Sequence, residues 1–536
     1  MAGSGLRGGG PRRYLGFVPY SGPWTTLASI VVAVLAMAIY VPTLMPGVGF
    51  WDTAEAQTVP YTLGIFHPTG YPTYTLVGWA WSQIPIGEVA YRMNLLSAVC
   101  IALAAGLTLH ITARLIAERS EGLKAGAGAV AGASFAFASE PWRNAVRADV
   151  HALHVLFAVL IIWMLVCWAA AERAGTPHRG RWLAAAALTF GIGAGNHGLM
   201  SLLAPPIALW ILLVDIQIWR RWRLVASCVV LLAAGLLVYI YIPIRANIDP
   251  EPPLFYAHPD NWERFRYLVM AEQFGGQFAN FNDPFGNFGE KWDELTRALG
   301  PQFPVSGWLF VGVGFALLAA RNLRAAIFLG LIGVIHLIYA VNFEQGDVNR
   351  YYMTAVLVAA PMLGVATAAL AGLYARAALA LGGRLGGRAV RRRFALGAGA
   401  VVVALAAALP AYGVLELYDE RDLSDDREAS RWVKGVYNQL PENAVVLSWW
   451  SFSTPLWYHR WVLGERPDVK IIDGRNILDD GYGDIIGAVE AHIGQRPIFV
   501  IPENDYQRDL ITSRYRTENV PTAAGYGDML RIEGRQ

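Results

Sequence analysis

A chain of 536 residues that is 55% hydrophobic and only 16% charged falls well below the charge share of ordinary soluble proteins. Its net charge of +2 hides a division: from Leu417 onward 14 Lys/Arg face 20 Asp/Glu, a net of −6, which leaves +8 for the rest. That balance argues against a nucleic-acid partner and makes the lipid bilayer the solvent for most of the chain. The three cysteines, Cys100, Cys167 and Cys228, all lie in apolar runs without disulfide or metal spacing, and read as small core residues.

Residues 1–23 are rich in Gly and Arg and read as a disordered cytoplasmic N-terminus. The first apolar run, Trp24 to Met45, lacks a small-residue cleavage site and leads into further spans, so it reads as a retained helix rather than a removed signal. The apolar runs predict about eleven transmembrane helices, near 24–45, 90–113, 124–139, 150–171, 182–196, 198–216, 223–244, 306–320, 324–341, 353–375 and 395–416. With the N-terminus cytoplasmic, the short inner segments hold 20 Lys/Arg, whereas the outer ones hold only Arg92, Arg143, Arg147 and Arg350. By the positive-inside rule this orients a multi-pass plasma (inner) membrane protein, and the odd helix count places the C-terminal domain outside. The transmembrane domain, 24–416, thus has two long outer loops, 46–89 and 245–305. The first carries no Lys or Arg before its helix mouth; the second is aromatic and amide-rich and predicts interfacial helices.

Charged groups at a membrane face are retained mostly for function or mutual pairing. Four clusters fall on the outer side. In Trp51-Asp52-Thr53-Ala54-Glu55, a helical turn puts both carboxylates on one face, where one is suited to deprotonate an acceptor hydroxyl. The competing reading is a capping box, with Asp52 as the N-cap. In His67-Pro68-Thr69-Gly70-Tyr71-Pro72-Thr73-Tyr74, two prolines and a glycine fix an irregular backbone from which His67, Tyr71 and Tyr74 present donors and rings to a phosphate or sugar. An interfacial aromatic belt would look similar.

The third cluster runs from Glu140 through Arg143, Arg147 and Asp149 to His151 and His154. Its arginines oppose the inside bias; they suit a lipid phosphate, and equally suit pairing with Glu140 and Asp149. Asp149, His151 and His154 form at most a three-ligand metal set. The fourth cluster joins Asn196 and His197 to Glu344, Asp347, Asn349, Arg350 and Tyr351, with Arg350 at a helix mouth suited to phosphate.

The tail, 417–536, changes character. Arg427 to Leu440 reads as a helix, Ala444–Ser448, Val469–Ile472 and Pro497–Ile501 as short buried strands, and Tyr482 to Ile493 as a further helix. Alternating helices and strands predict a small extracytoplasmic α/β domain with a largely parallel sheet, suited to recognition or support.

The run from Asp52 and Glu55 through His67-Pro68-Thr69-Gly70-Tyr71-Pro72 to Arg92-Met93-Asn94-Leu95-Leu96-Ser97-Ala98 resembles a family of GT-C-type membrane glycosyltransferases: the transmembrane protein O-mannosyltransferase and its bacterial relatives. Thr69 stands where the family has a second proline. Ala148-Asp149-Val150-His151 is similar to its Ala-Glu-Val-Tyr element, with Asp for Glu and His for Tyr. Gly195-Asn196-His197, Leu456-Trp457-Tyr458 and Gly464-Glu465-Arg466-Pro467-Asp468-Val469 add to the likeness, while Trp450 or Ser451 replaces the family's acidic residue.

The resemblance implies an inverting glycosyltransferase of the cell envelope, using a polyprenyl-phosphate-linked sugar, mannose by family, on a protein Ser/Thr or envelope glycan acceptor. It implies Asp52 as catalytic base with Glu55 beside it. His67, Tyr71, Tyr74, Arg143, Arg147, Asp149, His151, His197 and Arg350 are then expected to hold the donor phosphate and sugar. No cofactor is required by it, although a divalent cation stays open. The alternative is a transporter or flippase of lipid-linked saccharides, which needs no carboxylate poised over an acceptor and should carry functional residues on both faces.

Overall fold

The computed structural model describes residues 22–118, 120–249, 252–343, 347–381, 388–522 and 528–536. The readings on residues 1–21, Arg119 and Glu344 lie outside the described residues. The first half runs through α1 (Pro23–Tyr40), α2 (Trp51–Thr62), α3 (Pro72–Ser82), α4 (Val89–Leu115), α5 (Glu121–Ala136), α6 (Ser139–Ala145), α7 (Val150–Ala174) and α8 (Arg181–Ala194). There follow α9 (Ala204–Val214), α10 (Trp222–Leu236), α11 (Tyr241–Ala246), α12 (Trp262–Val269) and α13 (Phe288–Leu299). The membrane part closes with α14 (Val305–Arg321), α15 (Leu323–Asn342), α16 (Met353–Leu381), α17 (Arg388–Ala406) and α18 (Ala408–Arg421).

Each of the eleven apolar runs is helical, but fewer reach spanning length. Among the described residues seven helices are long and apolar enough to cross a bilayer, or eight if α13 and α14, bent by 98°, make one broken span. Two further apolar helices, Arg181–Ala194 and Gly198–Val214, are shorter. The sequence count of eleven exceeds this because an apolar run of 14–17 residues falls short of the ~20 that a bilayer needs. The segment 245–305 holds α12 and α13 with 3-10 turns between them, as its composition predicts.

Small residues bring the helices together, as they must where lipid offers no hydrophobic driving force. A Cβ on Gly235 of α10 would sit 2.7 Å from the Leu188 carbonyl of α8, so that pair closes to backbone contact. Buried Trp142, Trp168 and Trp210 fill the wider gaps. At one end of the bundle, ion pairs join the basic loops: Arg321 to Glu118 at 3.5 Å, and Arg179 and Arg221 to Glu172 at 2.6 and 2.5 Å. The four polar clusters all lie at the other end.

On that end sits the C-terminal domain: α19 (Glu428–Gln439), β1 (Val445–Ser448), α20 (Trp450–Trp457), β2 (Lys470–Asp473), α21 (Ile485–Glu490), β3 (Ile498–Ile501), α22 (Asp505–Thr512), β4 (Tyr515–Val520) and β5 (Met529–Arg535). The three strands expected from sequence form a parallel core, β2-β1-β3. The sheet is nevertheless mixed rather than largely parallel, because β5 adds antiparallel to β3 and β4 antiparallel to β5. Both are more polar than the buried strands (β4 reads YRTENV) and so lack their continuous apolar run. The domain docks through α20 on α2, and the Tyr458 hydroxyl accepts a hydrogen bond from the Ala90 amide at the start of α4, 2.9 Å away.

Candidate active site

The first turn of α2 follows directly on the first span, and Asp52 does not cap it. Phe50 occupies the N-cap position and no side chain bonds there, which removes the capping-box reading. The Asp52 carboxylate instead accepts a hydrogen bond from Arg350 Nη2 at 2.6 Å and lies 3.8 Å from His67 Nε2. Glu55, one turn on, is buried and accepts from both the His67 amide, at 3.0 Å, and its ring Nδ1, at 2.6 Å. Burial would raise both carboxyl pKa values. For Asp52 the charges of Arg350 and His67 outweigh it, and for Glu55 those of His67 and Arg475 do, so both stay ionised below the usual carboxylate range. Asp52, His67 and Glu55 thus form a continuous polar chain.

The turn that delivers His67 is pinned by its own residues. Gly70 and Tyr71 take φ of 82° and 39°, and Pro72 opens α3 with its fixed φ. A left-handed tyrosine is strained unless its surroundings impose it. Here its hydroxyl donates to the Pro68 carbonyl at 2.9 Å, and its ring stacks on His197 at 5.4 Å.

Asp149 N-caps α7, accepting from the His151 amide at 2.7 Å and the His151 ring Nδ1 at 2.8 Å. Burial favours its protonated form, but His151, Arg350 and Arg147 together hold it well below the usual range. Arg350 Nη1 lies 3.3 Å from Asp149 Oδ2, so a single buried guanidinium joins the acids of α2 and α7. The Arg-Met-Asn-Leu-Leu-Ser-Ala element of α4 supports this arrangement from behind. Asn94 Oδ1 accepts from Gln57 Nε2 and the Ala148 amide, each at 2.8 Å, and Ser97 Oγ accepts from the Asp149 amide at 3.1 Å.

These groups border a cavity of about 480 Å³, lined by Asp52, His67, Tyr71, Asp149, His151, His197 and Arg350, with Phe274, Tyr339 and Phe343 on its apolar side. The polar floor under an apolar wall suits an amphiphile with an anionic head. Not every expected residue reaches it. Tyr74 is buried against Phe66 with its hydroxyl unpartnered, outside the cavity lining. Arg143 and Arg147 also stand off the lining and pair with Asp347, each at 3.4 Å, with Arg143 also 3.6 Å from Glu140. Half-buried arginines beside acids pair with them before they reach a ligand; of the partners the sequence offered, Glu140 and Asp149, Arg143 takes Glu140, while Asp347 serves both arginines.

The C-terminal domain supplies residues that sequence reasoning missed. Trp450 Nε1 donates to Glu55 Oε2 at 3.0 Å, and Arg475 approaches the same carboxylate at 3.9 Å while its guanidinium stacks on Trp450 at 4.0 Å. The only sequence signal was the replacement of an acidic residue by Trp450.

A metal set at Asp149, His151 and His154 is not assembled: His154 Nε2 faces the Thr354 hydroxyl at 3.4 Å instead. Among the described residues, the group with ligand atoms within 4.8 Å of one another is Asp52, Glu55 and His67. Two carboxylates and an imidazole suit a hard or borderline divalent ion. Glu55 and His67 already satisfy one another, however, and Arg350 brings a positive charge to Asp52.

Helices and site together define a membrane protein of the GT-C fold. Over 94% of this chain and 97% of its own, the crystal structure of ArnT from Cupriavidus metallidurans bound to undecaprenyl phosphate superimposes with a TM-score of 0.55 at 13% identity. The Archaeoglobus fulgidus oligosaccharyltransferase tethered to an acceptor peptide gives 0.53 at 14% identity, over 96% of this chain and 76% of that one. More particularly, residues 52–222 match the family model of the protein O-mannosyl-transferase TMEM260 N-terminal domain. Protein O-mannosyl-transferase TMEM260 of Mus musculus is 25% identical over 494 residues, 86% of this chain and 65% of the mouse protein. The Dictyostelium discoideum protein of that name is 23% identical over 238 residues, 42% of this chain and 28% of its own. The chain therefore spans about two thirds of the mouse relative at most, and the matched stretch contains Asp52, Glu55, His67, Asp149 and His151.

Proposed function

We propose that this protein is an inverting glycosyltransferase that moves a sugar, mannose in the first instance, from a polyprenyl-phosphate carrier to a hydroxyl acceptor at the outer face of the membrane. The observation that carries this reading is Arg350 held between Asp52 and Asp149 on the floor of the amphiphilic cavity, beside the His67–Glu55 pair. The TMEM260 likeness points to the mannosyl group and to a protein acceptor, and the ArnT complex to a lipid phosphate carrier.

In this reading the acceptor hydroxyl attacks the anomeric carbon opposite the phosphate. The new C–O bond forms as the bond to the carrier oxygen breaks, and the acceptor proton passes to Asp52 and on to water. Asp52 is a weak base while Arg350 sits on it. A donor phosphate entering the cavity competes for that guanidinium, which both frees Asp52 and stabilises the leaving charge where it develops. Glu55 fixes the His67 ring so that Nε2 faces Asp52. A divalent ion, if bound, would be held by Asp52, Glu55 and His67 and would add charge stabilisation; none of these steps is routed through it.

The test uses purified protein in detergent with polyprenyl-phosphate-mannose, comparing wild type with Asp52→Asn by release of free polyprenyl phosphate. Release stimulated by an envelope acceptor fraction, and lowered about 10²-fold or more in the variant, is expected. Binding without release, from mannose and from a panel of other lipid-linked sugars, would overturn the reading in favour of a lipid-saccharide transporter.

A further inference from the structure

Glu55 also faces a second, smaller cavity of about 200 Å³ that Asp52 and His67 do not line. It lies between the outer loop 252–258 and the C-terminal domain, and its polar lining comprises Glu55, Tyr256, His258, Asp473, Asn476 and Asp480. Two features make it more than a crevice between domains.

First, two of its acceptors lack donors. Asp473 closes strand β2 and is only 4% exposed; its Oδ1 accepts from the Arg475 amide at 2.8 Å, while Oδ2 meets no donor in hydrogen-bond geometry. Asn476 Oδ1 is likewise buried and unpartnered. Buried acceptors without donors are rare in folded proteins, and a group of them converging on one space points to a donor that comes from outside. Second, the space is bounded. His258 Nε2 and Asp480 Oδ1, 3.1 Å apart, tie the outer loop to the domain, and Phe255 and Trp457 supply ring surface.

The chemistry of the lining narrows the ligand. Three carboxylates repel an anion, so a phosphate or uronate does not suit. Several acceptors around a compact volume call for several O–H donors on one small body. One Ser or Thr side chain supplies a single hydroxyl; a pyranose ring supplies three or four with an apolar face for an aromatic wall. We propose that this cavity is a subsite for an uncharged hexopyranose unit of the acceptor glycan, with Asp473, Asn476 and Asp480 accepting its hydroxyl protons and Trp457 against its face. Ligand atoms of Glu55 and Asp52 lie within 4.8 Å of one another, so a ring seated here is a short reach from Asp52. The word acceptor rests on the transferase reading; the saccharide site itself does not.

The experiment therefore measures binding without any donor, on full-length protein in detergent. Methyl α-mannopyranoside and a mannobiose are titrated by intrinsic tryptophan fluorescence and by saturation-transfer NMR, with a Thr-containing hexapeptide as the parallel arm. Saccharide binding in the millimolar range is expected, weakened about tenfold or more in Asp473→Ala and in the near-isosteric Asp473→Asn, and unchanged in Tyr506→Ala, which lies elsewhere on the domain. Melting curves confirm that each variant is folded. Peptide binding alone with the same dependence on Asp473 overturns the proposal in favour of a protein acceptor, and so does the absence of saccharide binding. Saccharide binding by a protein that releases no polyprenyl phosphate leaves the subsite standing and removes the transferase reading instead.

Discussion

Arg350 Nη2 donates to Asp52 Oδ2 at 2.6 Å, a contact between residues 298 positions apart that draws the loop 46–89 onto the mouth of α16. With Asp149 at 3.3 Å and Asp347 at 3.8 Å, the guanidinium is shared among three carboxylates. Removing it leaves the buried Asp149 carboxylate without its guanidinium and facing the half-buried Asp52, and deleting one partner of a buried pair costs about 3–5 kcal/mol. Arg350→Ala is therefore expected to melt lower and to release no polyprenyl phosphate. Arg350→Lys keeps the charge and loses the fork; it should stay folded with turnover down about 10²-fold, the usual loss for one transition-state donor. Melting curves beside the release assay check both, and wild-type turnover in Arg350→Lys would remove Arg350 from the phosphate site.

Glu55 is linked to Asp52 through His67. Replacing it by Gln keeps the volume, but removes the charge that holds the ring Nδ1 at 2.6 Å. The expected result for Glu55→Gln is a loss of about tenfold or more in kcat with little change in KM for the donor, since proton transfer rather than binding is disturbed. The sign of the pH dependence follows from the two carboxyls. Both are held below their ordinary pKa, so the stabilisation they give is complete above the unfolded carboxylate range and is lost only as pH falls through the lowered values. Wild-type release should show no loss attributable to these acids between pH 7 and about pH 5. An acid limb in that window that disappears in Glu55→Gln would contradict the pairing.

How much of this was legible in the sequence divides along physical lines. The helices were, because an apolar run in a membrane protein announces itself; their lengths were not, since length at the margin is settled by bends such as the one between α13 and α14. Asp52, Glu55 and His67 were legible because polar residues at a membrane face need a reason. The partners of the arginines were not. Nothing in local spacing tells that Arg143 and Arg147 turn to Asp347, or that Tyr74 packs inward on Phe66. Trp450 and Arg475 were invisible for the same reason: they meet Glu55 only because a separate domain docks there.

That docking makes a prediction for Trp450. Its indole N–H bonds a buried carboxylate at 3.0 Å, and a hydrogen bond to a charged group contributes about 1.5–3 kcal/mol. Trp450→Phe retains a ring to pack against Trp51 and His67 but not the donor. Release should fall about tenfold and the melting temperature by a few degrees, and unchanged release would show the C-terminal domain to be a bystander at Glu55.

Chelation separates the arginine from a metal as the source of positive charge. Because Arg350 already places a guanidinium on Asp52, release is expected to persist after dialysis against EDTA and to gain less than about twofold on adding Mn²⁺ or Mg²⁺. Abolition by EDTA with rescue by one ion would assign that ion to Asp52, Glu55 and His67.

Asp473 offers a stability test whose sign is opposite to that of Asp52 and Glu55. Burial pushes its carboxyl up from an ordinary value near 3.8 to about 6, against the pull of Arg475. A raised acid pKa means that the fold disfavours the charged form. The neutral form is accommodated in full below about pH 4; stability then declines as pH rises, and above about pH 6 the whole penalty is present, about 3 kcal/mol for a shift of roughly two units. Asp473→Asn removes the charge and almost nothing else. It should melt close to wild type at about pH 3.5 and several degrees higher at about pH 7.5, measured by differential scanning fluorimetry in the same detergent. Equal shifts at the two pH values would mean that Asp473 is not ionised at neutral pH at that penalty. A variant that is more stable yet binds saccharide less well is what a site kept for its ligand should give, since a group selected to await a ligand's hydroxyl is tolerated at the expense of the empty fold.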